Sequence, residues 1–192
     1  MRTLTLLMAL ILGLLTTPGE ENSGLTKENG YVINLDRAEK LEKMTYSSLF
    51  SKAGIIVLED TDESLLGKVD KLEVCDNNLY VLEKGRGLFL FNKQGKFIKM
   101  IGRKGKGPGE YIDPGDISVD RENKKIYVLD SQTQNVLKYS SNGTFESSFK
   151  LENKGTRSTF IQPFKNALYT NLYTFDESGK RFLLSKVDVT NG

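Results

Sequence analysis

The chain has 192 residues, with 27 Lys plus Arg against 25 Asp plus Glu, one Cys, no His and no Trp. A net charge of +2 gives no basic excess for a nucleic-acid surface, and one Cys excludes an intrachain disulfide or a Cys-rich zinc site. The missing His removes Ser-His-Asp and Cys-His nucleophile pairs and the HExxH zinc motif from these residues. Eighteen Gly, ten Phe and eight Tyr favour strands and tight turns.

Met1-Arg2-Thr3 supplies one positive charge, and the run from Leu4 to Leu15 is apolar except for Thr5. Residues 16–24 then turn abruptly polar. This order is that of a secretory signal, assigned to residues 1–19, and the run is short of the roughly 20 apolar residues a spanning helix needs. After Leu15-Thr16-Thr17 the residue is Pro18, where a bacterial lipoprotein signal would place the Cys that is acylated. Export to the periplasm or outer-membrane surface is therefore expected, and a lipid anchor is not. Without residues 1–19 the charge is +1, which gives no electrostatic reason to seek a membrane surface or polyanion. Residues 20–30 read as a flexible linker. Asp36-Arg37-Ala38-Glu39 is expected to cap a short helix ending near Phe50, and Ile55–Leu58 to form an isolated strand able to complete a ring by pairing with the C-terminal blade.

The middle of the chain repeats. Lys71–Glu83 followed by Leu88–Phe97 resembles Asp116–Asp130 followed by Val136–Phe145. Tyr80 and Tyr127 are 47 residues apart; Gly95 and Gly143, like Phe97 and Phe145, are 48 apart. Each unit predicts four short strands: Leu72–Val74, Leu79–Leu82, Leu88–Phe91 and Phe97–Ile101 in the first, and Ile117–Val119, Ile126–Leu129, Val136–Tyr139 and Phe145–Phe149 in the second. The turns Asn92–Gly95 and Ser140–Gly143 put Gly where a hairpin needs positive φ. A third, weaker unit has expected strands at Phe160–Phe164, Ala167–Thr174 and Phe182–Val187, with a turn at Asp176–Gly179.

Four antiparallel strands in about 45 residues make a blade of a β-propeller. The fold expected is all-β, with blades at about residues 68–115 and 116–158 and a partial third at 159–192, all within a propeller region of 31–192. Propellers close with about four to eight blades, so this length is expected to be an incomplete part of a longer protein.

Ser47–Phe50, Ile55–Glu59, Ser64–Gly67 and the run Phe97–Tyr111, with its Gly105-Lys-Gly-Pro-Gly-Glu-Tyr111 signature ahead of the Asp116–Asp130 strand pair, resemble the exported six-bladed β-propeller proteins of Gram-negative bacteria. These are relatives of the NHL and TolB-like propellers and are often lipoproteins. The likeness covers about residues 31–192. It implies the fold, an envelope location and further C-terminal blades, because members are about twice this length. It implies no reaction.

The Gly-rich stretch Gly102–Tyr111 carries the ligand-binding candidates Arg103, Lys104, Lys106, Glu110 and Tyr111. Its cations and Gly backbone could cradle a phosphate, a carboxylate or an acidic glycan. It lacks the Gly-x4-Gly-Lys-Ser/Thr pattern, and it does not run from a strand into a helix as a dinucleotide loop does. The alternative is a crossover between blades, turned by Gly and stiffened by Pro108. Asp76, Asn77, Asn78, Asp116, Asp120 and Asp130 fall at strand ends, as Ca²⁺ ligands would, and equally as turn residues would. Tyr80, Tyr127 and Tyr169 recur at matching positions, which points to packing between blades, and Cys75 reads as a small buried hydrophobe. Asn142-Gly-Thr144 matches a glycosylation sequon, but a hairpin turn already accounts for Asn-Gly.

The function expected is a non-catalytic binding module or scaffold of the cell envelope, without a cofactor, whose propeller face takes a partner protein or a carbohydrate and no nucleic acid. The alternative is part of a metal-dependent, calcium-type hydrolase or lyase of the six-bladed kind, which without His would need oxygen ligands here or His elsewhere. A third reading is a fragment without activity.

Overall fold

The computed structural model describes residues 45–152, 157–171, 174–175, 181–182 and 184–189. The expected signal peptide, the linker, most of the expected helix and the turn at Asp176–Gly179 lie outside them. Two compact units divide at Ile55 and Ile56. In the first, a single helical turn, α1 (Tyr46–Leu49), is the described end of the expected helix. Thr45 caps it by accepting the amide of Ser48 at 3.0 Å.

The second unit is all-β and built of antiparallel sheets. Strands β1 (Lys71–Cys75), β2 (Asn78–Glu83), β3 (Gly87–Asn92) and β4 (Phe97–Ile101) make a four-stranded meander in chain order. Two short strands follow, β5 (Arg103–Lys104) and β6 (Glu110–Tyr111). A second meander has β7 (Pro114–Asp120), β8 (Lys125–Asp130), β9 (Asn135–Ser140) and β10 (Phe145–Lys150), again paired in sequence. Every expected strand of these two units is present, Phe97–Ile101 with the expected bounds and the others extended by a residue or a few.

The repeated turn explains the shared register. Gly95 and Gly143 adopt φ of 85° and 77°, closing hairpins that bring Phe91 opposite Phe97 and Tyr139 opposite Phe145. Both pairs meet edge-on, with ring centroids 5.5 and 5.8 Å apart, a favoured aromatic geometry. A bulge interrupts the ladder beside each pair. The motif aromatic-x3-Gly-x-aromatic is thus a hairpin with an aromatic clamp at its mouth.

Side chains alternate across a strand, so each sheet has two faces, and in the first two sheets both are covered. Tyr80, Leu82, Leu88 and Leu90 of the first sheet pack with Ile117, Ile126, Val128 and Tyr139 of the second in one buried cluster. The opposite face of the first sheet, with Leu79, Val81, Phe89 and Phe91, is closed by Leu58 and Leu66. Tyr127, Leu129 and Val136 of the second sheet pack on Ile161 and Leu168 of the third. Strands buried on both faces lose strict alternation, which accounts for the continuous apolar runs of β2 and β3.

The third sheet departs from expectation. Its order among the described residues is β11 (Ile161–Phe164), β12 (Ala167–Thr170) and β15 (Ser185–Asp188). The expected strand Ala167–Thr174 stops at Thr170, and the expected Phe182–Val187 is split. β13 (Thr174–Phe175) and β14 (Arg181–Phe182) pair with each other as a separate two-stranded sheet, and β15 takes the place beside β12.

Ile55–Leu58 is also corrected: it belongs to no strand. Within the second unit, the Glu59 amide donates to Gly95 O at 2.7 Å, and Glu59 Oε2 accepts the Phe97 amide at 2.8 Å. One backbone bond and one side-chain bond pin this segment to the β3–β4 turn, too few to make a ladder. Leu58 turns onto the first sheet, while Ile56 and Val57 remain exposed.

Candidate functional site

The connection from β4 to β7 carries the Gly-rich stretch from the first sheet to the second. It is a folded ribbon rather than an open cradle. β5 and β6 pair in parallel, Arg103 with Glu110 and Lys104 with Tyr111. Between them Gly107-Pro108-Gly109-Glu110 closes a turn, with the Glu110 amide donating to Gly107 O at 3.0 Å and Gly109 at φ 72°. Pro second and positive-φ Gly third is the type II pattern. The Gly105 amide donates to Tyr111 O, and the Gly107 amide to Glu110 Oε2 at 2.9 Å. Both amides are thus committed within the ribbon, which leaves them no role as a backbone cradle for phosphate.

Two buried tyrosines hold this ribbon in place. Tyr111 is fully buried; its hydroxyl donates to Ile101 O at 3.0 Å and accepts the Leu88 amide at 3.1 Å. The Tyr139 hydroxyl donates to Gly109 O at 3.1 Å. Gly109 passes so close to Phe145 that a Cβ there would lie 2.9 Å from its Cβ and Cγ. Burial raises both phenol pKa values, so these hydroxyls stay protonated donors.

The expected ligand residues therefore separate. Tyr111 faces the core, both of its hydroxyl interactions serve the ribbon, and it is withdrawn from the candidate set. Arg103 Nε pairs with Glu110 Oε1 at 2.5 Å, and Lys104 Nζ donates to Gly85 O at 2.7 Å. The Gly107 amide first, and then the Arg103 guanidinium, hold the Glu110 carboxyl below the ordinary range. Lys106 is exposed and has no side-chain partner among the described residues.

Lys106 and Glu110 stand at one side of a groove of about 770 Å³ under the ribbon. Its other side is the outer half of the second sheet: Asn135 and Leu137 on β9, and Phe145, Ser147 and Ser148 on β10. Asp130 and Thr133 close one end. The side chains of Asn135, Ser147 and Ser148 have no hydrogen-bond partner among the described residues. Sequence reasoning named only Lys106 and Glu110 of this set, with Asp130 as a metal candidate. A signal for the serines existed in the repeat: Ser147 and Ser148 stand where the first unit has Lys99 and Met100.

The candidate metal carboxylates each meet a local partner. Asp76 pairs with Lys124 at 2.5 Å, joining the first hairpin turns of two sheets. Asp120 accepts the amides of Glu122 and Asn123 and the Asn123 side chain. Asp130 accepts the amides of Ile112, Gln132 and Thr133. Asp116 ties the first strands of the three sheets together: Oδ1 receives Lys71 Nζ of β1 and Oδ2 the Ile161 amide of β11, each at 2.9 Å. Among the described residues no three Asp, Glu or Cys side chains form a group able to hold a metal ion. Asn77 and Asn78 sit beside Asp76, where Asn78 Nδ2 donates to the Tyr80 hydroxyl at 3.2 Å.

The sequence profile described as "Domain of unknown function (DUF4934)" matches residues 30–190. The chain belongs to the DUF4934 family. The chain is similar to a solved structure from Bacteroides fragilis, described as a "Putative exported protein". The two share 28% sequence identity with a TM-score of 0.59, over 70% of this chain and 38% of that one. The chain thus spans well under half the length of that relative. Comparison with curated proteins finds no match. Among the described residues of this DUF4934 chain, no helix is long and apolar enough to cross a membrane.

Proposed function

We propose that this chain is a non-catalytic binding module of the cell envelope, built as consecutive blades of a six-bladed, NHL/TolB-like β-propeller. The 47–48-residue repeat, the two four-stranded meanders and the crossover from the outer strand of one sheet to the inner strand of the next support the propeller. Three sheets make part of such a ring. Export is supported by the apolar run Leu4–Leu15 and by the description of the B. fragilis relative.

The observation that carries the binding reading is the groove under the Gly-rich ribbon. Its volume falls in the range of about 300–1,000 Å³ usual for ligand sites, and its wall presents the Ser148 hydroxyl and the Asn135 amide free to bond. It is a place shaped for a partner carbohydrate or protein segment rather than for a reaction, since its two carboxylates, Asp130 and Glu110, both bond backbone amides. Filling the groove tests this. Ser148→Trp is expected to keep the melting temperature and abolish retention on a glycan array or by an envelope partner. Undiminished retention by a folded Ser148→Trp protein overturns the reading.

A further inference from the structure

We propose that the open edge of β10, at the rim of the groove, takes an extended acidic polypeptide segment as an added strand; this deepens the binding-module reading above and rests on it. β10 is the terminal strand of its sheet and pairs with β9. Main-chain groups along a strand point alternately to its two edges. The Leu151 amide donates to Gln134 O at 2.9 Å, so the alternation turns Phe149 towards β9, and Ser148 and Lys150 away from it. The amides and carbonyls of Ser148 and Lys150 thus face outwards at alternate positions, as pairing with a further strand requires. They have no main-chain partner on that side among the described residues, and both side chains are exposed.

The first sheet shows what the same edge accepts. Phe97 stands in β4 where Phe145 stands in β10, each opposite an aromatic and beside a bulge. The Phe97 amide donates to Glu59 Oε2 at 2.8 Å, a carboxylate brought from outside the sheet. No carboxylate reaches the Phe145 amide among the described residues. The charges of β9 and β10 point the same way. Glu146 is paired with Lys125, whereas Lys138 and Lys150 have no partner among the described residues. A cation on an edge deters unmatched strands, and opposite charges on facing strands attract. A carboxylate opposite Lys150 would stand a strand's width beyond Asn135, outside the groove that Glu110 and Asp130 flank.

The test is fluorescence anisotropy of a labelled hexapeptide of alternating Thr and Glu, titrated with the whole chain. Companion peptides carry Lys in place of Glu, or N-methyl groups on every second amide in either phase. The expected result is binding of the acidic peptide, about threefold weaker in Lys150→Gln. Binding should be lost in Ser148→Pro and on N-methylation in one phase. Ser148→Pro removes an outward amide that β9 does not use, and Pro is tolerated on edge strands, so this variant should melt as the parent does. If it unfolds, the N-methylated peptides decide. Equal binding of both N-methylated peptides overturns strand addition, and equal binding of the Lys peptide overturns the acidic partner. No binding of any peptide, while Ser148→Trp still abolishes retention on the glycan array, overturns the added strand and leaves the groove as a sugar site. Retention surviving Ser148→Trp marks failure of the binding-module reading itself.

Discussion

At the residue scale, the tyrosines show how burial assigns roles. Tyr80 sits between the first and second sheets, its hydroxyl donating to Ser141 O at 2.8 Å, and Tyr127 lies in the same setting against the third sheet. Tyr169, at the matching place of the third sheet, is half-buried and meets Phe164 edge-on. Repetition in the sequence is enough to read these as packing residues. It is not enough for Tyr111, which occurs once and beside three cations, and so resembles a ligand residue until its buried hydroxyl partners are known. The sign of the pH dependence follows from the same burial. Desolvation raises the phenol pKa of Tyr80, Tyr111, Tyr127 and Tyr139, whereas in the unfolded chain a tyrosine ionises near 10. The unfolded state alone loses these protons first, so their contribution to stability is full below about pH 10 and falls as pH rises through the folded values. Tyrosinate absorbance recorded with the far-ultraviolet dichroism of the sheets should show this group ionising only as the sheets are lost. Ionisation of all the tyrosines near pH 10 with the sheets intact would contradict it.

At the element scale, the first two sheets were legible because their signals are local. A Gly at positive φ and an aromatic on each side define the β3–β4 and β9–β10 hairpins within seven residues, Phe91–Phe97 and Tyr139–Phe145. What depended on distant partners was not legible. Ile55–Leu58 has strand-forming residues, but Glu59 and the Gly95 turn hold its end outside any ladder. The split of Phe182–Val187 follows from which strand pairs with β12, a competition that local composition does not decide. Asp116 is a similar case: its sequence position suggests a turn or a metal, whereas its carboxylate ties β7 to β1 and β11. Asp116→Asn removes the charge that Lys71 meets in a largely buried setting. It should cost about 2 kcal/mol, the scale of a hydrogen bond to a charged group. A lower denaturant midpoint with an unchanged slope would agree, and an unchanged midpoint would show that the bridge contributes nothing to holding β1, β7 and β11 together.

At the scale of the whole molecule, the repeat makes stacked sheets, and a departure from the repeat makes the groove. The crossover that sequence reasoning weighed as an anion cradle is a roof, fixed by Tyr111 and Tyr139, and the wall it covers comes from β9 and β10. Of the candidate site, Lys106 and Glu110 could be found from the chain alone, because charge in a Gly-rich loop is conspicuous. Ser148 could not be given a role without knowing that the ribbon folds over its face of β10. Asp76, Asp116 and Asp120, in and beside the first strands β1 and β7, are by contrast tied into turns and bridges. Hydrogen exchange read by mass spectrometry, with and without an oligosaccharide retained on the glycan array, tests this division most directly. Slowed exchange confined to residues 105–112 and 133–149, with the turns at 76–78 and 121–124 unchanged, is the predicted result. Protection at those two turns, with the ribbon and β10 unaffected, would contradict it.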